Sequence, residues 1–331
     1  MKPFNYINAK SKDEALRTFT ETTHYLSGGT NLIDLMKEHV ELPDQLIHVK
    51  PLKFKQIKRT DDGGFTIGAM LSNAETANHK DIRTHYPLLS MAMLSAATGQ
   101  IRNMATNGGN LLQRTRCPYF FDTSMPCNKR VPGSGCGALK GMHENHAIFG
   151  YSDHCIATHP SDMCVALAAI GAKVEVQQLD GSSQMIEFEQ FHRLPGDAPQ
   201  QDTHLEHGAL ITAIHLPRPV LSDHYYYLKV RERSSYAFAL VSVAAGFQIE
   251  DGTISNVGLA MGGVAHKPWK LVEAENFLIG KKPTDANFNK AAELAMAEAK
   301  PLDGNAYKVP MGKNAIVSAL TKAKERTVLS T

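Results

Sequence analysis

The chain has 331 residues, 43% of them hydrophobic and 21% charged, with 35 Lys and Arg against 33 Asp and Glu for a formal net charge of +2. Such a composition suits two packed domains and excludes bulk disorder and collagen-like repeats. The near-neutral balance gives no electrostatic footprint for nucleic acid, no apolar run reaches the roughly 18 residues of a membrane span, and Met1–Tyr6 carries neither an apolar signal core nor a twin-arginine pair.

Ser11-Lys12-Asp13-Glu14 is a capping-box pattern that predicts a helix to about Thr20. His24–Leu26 reads as a short strand running into Gly28-Gly29, and Thr30–Met36 as a helical turn. Leu46–Val49 is a predicted strand, and Phe54–Arg59 with Phe65–Ala69 a hairpin around Asp61-Asp62-Gly63-Gly64. Ser72 caps another helix, and Pro87–Ala97 is a helix rich in Leu, Met and Ala. Residues 115–155 are irregular, with Cys, Pro, Gly, Asn and His throughout, before a helix at Pro160–Ala169. A hairpin over Lys173–Phe188, a polar loop over 193–208 and strands at Leu210–Leu216, Tyr225–Val230, Leu240–Ile249 and Ser255–Met261 follow. Trp269–Leu278, Asn287–Ala299 and Asn314–Val328 form a helical tail. Strands followed by packed helices predict an α+β fold, divided near Pro217 into residues 1–217 and 218–331.

Two glycine pairs stand beside Thr and Asn: Leu26-Ser27-Gly28-Gly29-Thr30-Asn31 and Ala105-Thr106-Asn107-Gly108-Gly109-Asn110. Glycine lets the backbone approach a ligand, and successive N–H groups can form an anion-binding concavity of the kind a pyrophosphate needs. Neither segment is a G-x-G-x-x-G, and there is no P-loop. All five cysteines lie between positions 117 and 164. Cys117, Cys127, Cys136 and Cys155 are spaced C-x9-C, C-x8-C and C-x18-C, with no C-x-x-C. Four thiolates on a wrapping loop suit a 4Fe-4S cluster or structural zinc, and His143, His146, His154 and His159 keep a mixed Cys/His site open. Cys164, within Met163–Leu167, is expected to be a small core residue. Asp162 sits at the start of a helix, where it can cap or accept from a sugar hydroxyl, and Lys229 and Arg231 alternate with Tyr225 and Tyr227.

Together, S-G-G-T-N-L, I-R-N-x-A-T-x-G-G-N, A-T-H-P-S-D, K-x-R-x-R-x-S-Y-A-x-A-L-V-S-V-A and G-G-V-A-x-x-P resemble the FAD-binding medium subunits of the xanthine dehydrogenase and carbon monoxide dehydrogenase family of molybdenum hydroxylases. The insertion from Gln113 to Ala138 is most similar to that of the flavin subunits of bacterial periplasmic aldehyde oxidoreductases, which carry a 4Fe-4S cluster there. The resemblance implies a two-subdomain, PCMH/VAO-like FAD-binding domain with an iron–sulfur insertion at about 115–155, and a C-terminal domain with a three-stranded sheet and helices. It implies that Leu26, Ser27, Gly28, Gly29, Thr30 and Asn31, and from the second segment Thr106, Gly109 and Asn110, meet the FAD pyrophosphate. Thr158 and Asp162 would touch the ribityl, ribose or pyrophosphate end, Lys229 would lie near the isoalloxazine, and Cys117, Cys127, Cys136 and Cys155 would ligate the cluster. No catalytic residue is expected on this chain. A molybdopterin large subunit would oxidise the substrate, a 2Fe-2S small subunit would carry electrons to the FAD, and an external acceptor would receive them. The assembled complex would be cytoplasmic, or periplasmic by co-export with a twin-arginine partner. Ala96 stands where xanthine dehydrogenases place an aromatic residue, so the resemblance does not extend to an NAD site. The alternative from the residues themselves is a non-catalytic assembly protein with zinc at the four cysteines and degenerate flavin segments.

Overall fold

The computed structural model describes residues 1–326. Three sheets organise them. Strands β1 (Asn5–Asn8), β2 (Thr23–Leu26) and β3 (Gln45–His48) form an all-parallel sheet in the order β1-β3-β2. Parallel pairing needs crossovers, and the helices Lys12–Arg17 and Leu32–Lys37 supply them. Ser11 caps the first of these by accepting the Glu14 N–H. Strands β4 (Ile57–Arg59), β5 (Phe65–Gly68), β6 (Lys173–Gln177), β7 (Ser183–Glu187) and β8 (Leu210–Leu216) form an antiparallel sheet in the order β4-β5-β8-β6-β7. Strands β9 (His224–Val230), β10 (Val241–Glu250), β11 (Thr253–Gly262) and β12 (Trp269–Lys270) form the third, also antiparallel.

The C-terminal sheet thus has its three long strands and a two-residue fourth at one edge. Trp269 lies in that edge strand instead of opening a helix; the helix begins at Val272. Pairing of Met261 with Trp269, and stacking of the indole on Phe149 at 5.1 Å, hold this stretch extended. The last helix runs Lys308–Glu325, six residues earlier at its start than the Asn314 expected; residues 327 and 328 of that expected helix lie outside the described residues. Residues 115–155 are irregular apart from the one-turn helices Pro118–Phe121 and Gly137–Lys140.

Two cores sit side by side. One packs Ile47, Phe65, Ile67, Leu88 and Ile214 with the helix Asp162–Ile170. The other packs Val243, Phe247, Leu259, Phe288, Ile316 and Leu320 beneath the third sheet. The helix Asp162–Ile170 is buried over nearly its whole length and lies between them, against β10 and β11.

Candidate functional site

The two glycine segments meet in space. Thr106 Oγ1 donates to Ser27 Oγ at 2.9 Å across 79 residues of chain. Gly28 sits so close to the Met104 carbonyl oxygen that a Cβ would lie 2.0 Å from it. Gly28 is therefore bare for packing of one segment on the other. Gly29 has φ of +74°, the left-handed conformation that turns the chain out of β2. Among the described residues, the N–H groups of Gly28, Gly29, Thr30 and Asn31 find no protein acceptor. Asn31 Oδ1 accepts from the Arg114 N–H at 2.9 Å, and its Nδ2 is buried without a partner.

The second segment is a short helix, Asn107–Leu111, capped by Thr106. This differs from the open concavity the sequence suggests. Asn107 and Gly108 donate to the Leu71 and Ala69 carbonyls, and Asn110 to the Thr106 carbonyl. Gly109 is held loosely, 3.4 Å from Thr106 Oγ1, and a Cβ there would meet only that atom, at 3.2 Å. The Asn110 side chain is engaged with Asn73, Gln113 and Ser161, and Asn107 with Asn73, Thr76 and the Gly68 carbonyl. Both asparagines thus brace the segment from behind.

These segments border a cleft of about 710 Å³ that residues of all three sheets line. Leu26 to Asn31, Thr106, Gly109, Asn110, Asp162 and Lys229 all line it. Asp162 Oδ2 accepts from Lys229 Nζ at 2.8 Å and Oδ1 from the Tyr227 hydroxyl at 2.7 Å, in a place where both ion-pair side chains are about 5% exposed or less. The strand face of Tyr227 and Lys229 is therefore interior, and Asp162 binds Lys229 first. Thr158 is set apart. It lines an adjoining cleft of about 440 Å³ that shares Arg116, Pro160, Asp162 and the segment Tyr236–Phe238 with the larger one. Arg116 and Phe238 were not singled out from sequence. The guanidinium lies over both the Phe121 and Phe238 rings, joining the cysteine loop to the cleft wall.

Cys117, Cys127, Cys136 and Cys155 surround one small void of about 10 Å³. All are free thiols. Cys127 and Cys136 are bridged through their backbones. Asn128 donates its N–H to the Gly135 carbonyl, accepts from the Gly135 N–H, and donates Nδ2 to the His154 carbonyl next to Cys155. One asparagine thus ties three parts of the loop together. Burial pushes the Cys117 thiol up to about 12 and the Cys155 thiol up to about 11. Four sulfur donors facing one void are a set of the kind that a thiolate-bound metal centre uses. Among the described residues, no three of these thiols close to within 4.8 Å of one another, whereas a tetrahedral Zn–S distance of about 2.3 Å would bring them to about 3.8 Å.

Of the four histidines, His146 touches a loop thiol, with Nε2 3.1 Å from Cys117 Sγ, and His154 lines the void. His143 bonds the Ala138 carbonyl. Among the described residues, His159, with His192 and the fully buried Cys164, forms the one trio of ligand-type atoms within 4.8 Å. The Ser161 N–H donates to His159 Nδ1, which places the proton of that neutral ring on Nε2. A protonated nitrogen is no ligand. The two neutral rings pack edge to face at 4.4 Å, and Cys164 is a core residue.

Residues 2–219 match the family described as the FAD-binding domain in molybdopterin dehydrogenase, and residues 226–323 the CO dehydrogenase flavoprotein C-terminal domain. The chain belongs to this FAD-binding subunit family of the molybdenum hydroxylases. It is 44% identical over 330 residues to the aldehyde oxidoreductase FAD-binding subunit PaoB of Escherichia coli (strain K12), covering 98% of this chain and 99% of that one. It is 26% identical to the glyceraldehyde dehydrogenase medium chain of Sulfolobus acidocaldarius, covering 90% and 89%. A solved Cu,Mo-CO dehydrogenase chain shares the fold, with a TM-score of 0.77 at 23% identity and coverage of 99% and 100%. Among the described residues no helix is long and apolar enough to cross a membrane.

Proposed function

We propose that this family member is the electron-transfer subunit of a heterotrimeric aldehyde oxidoreductase, holding FAD in the 710 Å³ cleft and a 4Fe-4S cluster on Cys117, Cys127, Cys136 and Cys155. The observation that carries the FAD assignment is the convergence of both glycine segments with the Asp162–Lys229 pair on one cleft. The unpaired N–H groups of Gly28–Asn31 and the orphaned Asn31 Nδ2 are donors suited to a pyrophosphate. Gly109 leaves room for its approach, and Thr106 fixes Ser27 opposite. Lys229 holds its charge at the cleft wall through Asp162, and Thr158 meets the part of the dinucleotide that reaches the adjoining cleft. Bound FAD supplies the redox chemistry, accepting electrons singly or in pairs; the chain supplies position and electrostatics.

Substrate oxidation belongs to a molybdopterin subunit, electrons arrive from a 2Fe-2S subunit, and an external acceptor removes them. The whole-length similarity to an aldehyde oxidoreductase subunit supports the substrate class. Co-export of the assembled complex on a partner's twin-arginine signal is tested by deleting that signal: loss of a periplasmic pool supports it, and a pool that survives defeats it.

Metal and flavin analysis of the purified chain tests the assignment. The expected protein is coloured, with flavin absorption and an iron–sulfur shoulder. Serine at any of the four loop cysteines depletes iron while FAD largely remains, and Cys164→Ser leaves iron near normal. Zinc in place of iron, or a loss at Cys164 equal to that at Cys155, sinks the cluster assignment.

A further inference from the structure

We infer that His146 is a positioning residue of the cluster, whose Nε2–H donates to the Cys117 sulfur and raises the cluster's reduction potential. This rests on the four-cysteine reading above. His146 Nε2 lies 3.1 Å from Cys117 Sγ, across 29 residues of loop, and the ring is 4% exposed. Sulfur bound to iron carries no proton, so the hydrogen in this contact belongs to the imidazole. A neutral ring with its proton on Nε2 has a bare Nδ1, and His146 Nδ1 is the buried atom without a partner. The tautomer that the sulfur requires is also the one that leaves no unpaired donor.

The backbone of His146 is held from far away. Its carbonyl accepts from Lys308 Nζ at 3.0 Å and from Asn305 Nδ2 at 3.3 Å. Both side chains are fully buried; Lys308 also binds the Gly263 carbonyl and Asn305 the Ala147 carbonyl. Two interior polar residues of the C-terminal domain therefore fix where one loop imidazole stands. Cys117 follows directly on Arg116, whose side chain lines the larger cleft. Hydrogen bonds to cluster sulfur stabilise the reduced, more negative state and so set the potential.

The test uses the full chain carrying FAD and iron, with His146→Leu, which keeps bulk and removes the donor, and His146→Gln, which returns an N–H at similar reach. Iron and FAD contents are expected to stay near wild type in both. In an EPR-monitored titration the Leu variant shifts to lower potential by about tenfold in the reduced-to-oxidised equilibrium, or 59 mV for one electron, and the Gln variant recovers most of it. Independently of whether the variants fold, the reduced wild-type cluster is expected to show a coupled exchangeable proton and, with 15N-histidine labelling, a histidine nitrogen coupling. An unchanged potential in an iron-replete Leu variant overturns the inference. So does loss of iron from both variants, which would make His146 a ligand or a folding requirement, and so does a wild-type spectrum without the histidine coupling. Iron absent from the wild-type protein defeats the cluster reading itself, which is a distinguishable result.

Discussion

Gly28 and Gly109 show how one residue type serves two purposes within a few ångströms. A Cβ at Gly28 would strike the Met104 carbonyl, a backbone atom that cannot move aside cheaply. A Cβ at Gly109 meets only the Thr106 hydroxyl and otherwise faces the cleft. Gly109→Val is therefore expected to leave the fold nearly as stable while sharply lowering FAD content, and Gly28→Ala to lower thermal stability even in FAD-free protein. Flavin stoichiometry and apo-protein melting, measured on both variants, check this; full FAD occupancy in Gly109→Val would remove that residue from the site. The Asp162–Lys229 pair belongs to the same scale. Lys229→Met strands a buried carboxylate that also accepts from Tyr227, so a loss of about 3–5 kcal/mol in denaturant unfolding is expected.

At the scale of elements, the cysteine loop is fastened by charge. Asp202 accepts from Lys129, whose side chain is 1% exposed, and from Arg114 Nε at 2.8 Å; Arg114 reaches on to Glu41. Burial alone would raise the Asp202 carboxyl, but the Lys129 and Arg114 charges overcome it and hold the group well below the usual carboxylate range. A carboxyl depressed in the folded state stabilises fully above its unfolded pKa of about 4 and loses that contribution as pH falls toward the folded value. Asp202→Asn is expected to cost about 3–5 kcal/mol at pH 7, with the gap from wild type narrowing as pH drops below about 4. Urea titrations at pH 7 and at successive acid values measure it; a gap constant with pH would assign the loss to packing.

Much of this element level was legible in the sequence, because the signals are local. The Ser11 cap, the crowding of four cysteines in a Pro- and Gly-rich stretch and the glycine pairs can be read within a few residues. What escaped is tertiary. The Asn107–Leu111 helix is short, contains two glycines and stands because Asn73 and the Gly68 carbonyl grip Asn107 from outside. Tyr227 and Lys229 alternate as a solvated strand face would, yet are interior because the helix bearing Asp162 packs on them. Arg116 gains its place only once Phe121 and Phe238 come together around it. No spacing along the chain encodes these partners.

At the scale of the whole molecule, the two cores share one seam. The helix Asp162–Ile170 belongs to the first core and packs on β11 of the second, where Gly258 approaches so closely that a Cβ would lie 2.2 Å from the Ala169 carbonyl oxygen. Asp162 opens this helix at the 710 Å³ cleft and Ala169, in its last turn, packs on the C-terminal sheet, so the proposed flavin site and the domain docking share one rigid element. Tyr227, Ala244 and Ala260 of the C-terminal sheet are themselves packed in the first core. The parts should therefore unfold together. In guanidinium, the fluorescence of the single Trp269, stacked on Phe149, and the release of bound flavin are expected to report one coincident transition in the wild type. Gly258→Ala forces backbone against backbone at the seam, at a cost of about 1–3 kcal/mol. Both midpoints should then move to lower denaturant by the same amount. A Trp269 transition that shifts while flavin release stays in place would show that the C-terminal domain folds as a separate unit and that the helix does not transmit stability across the seam.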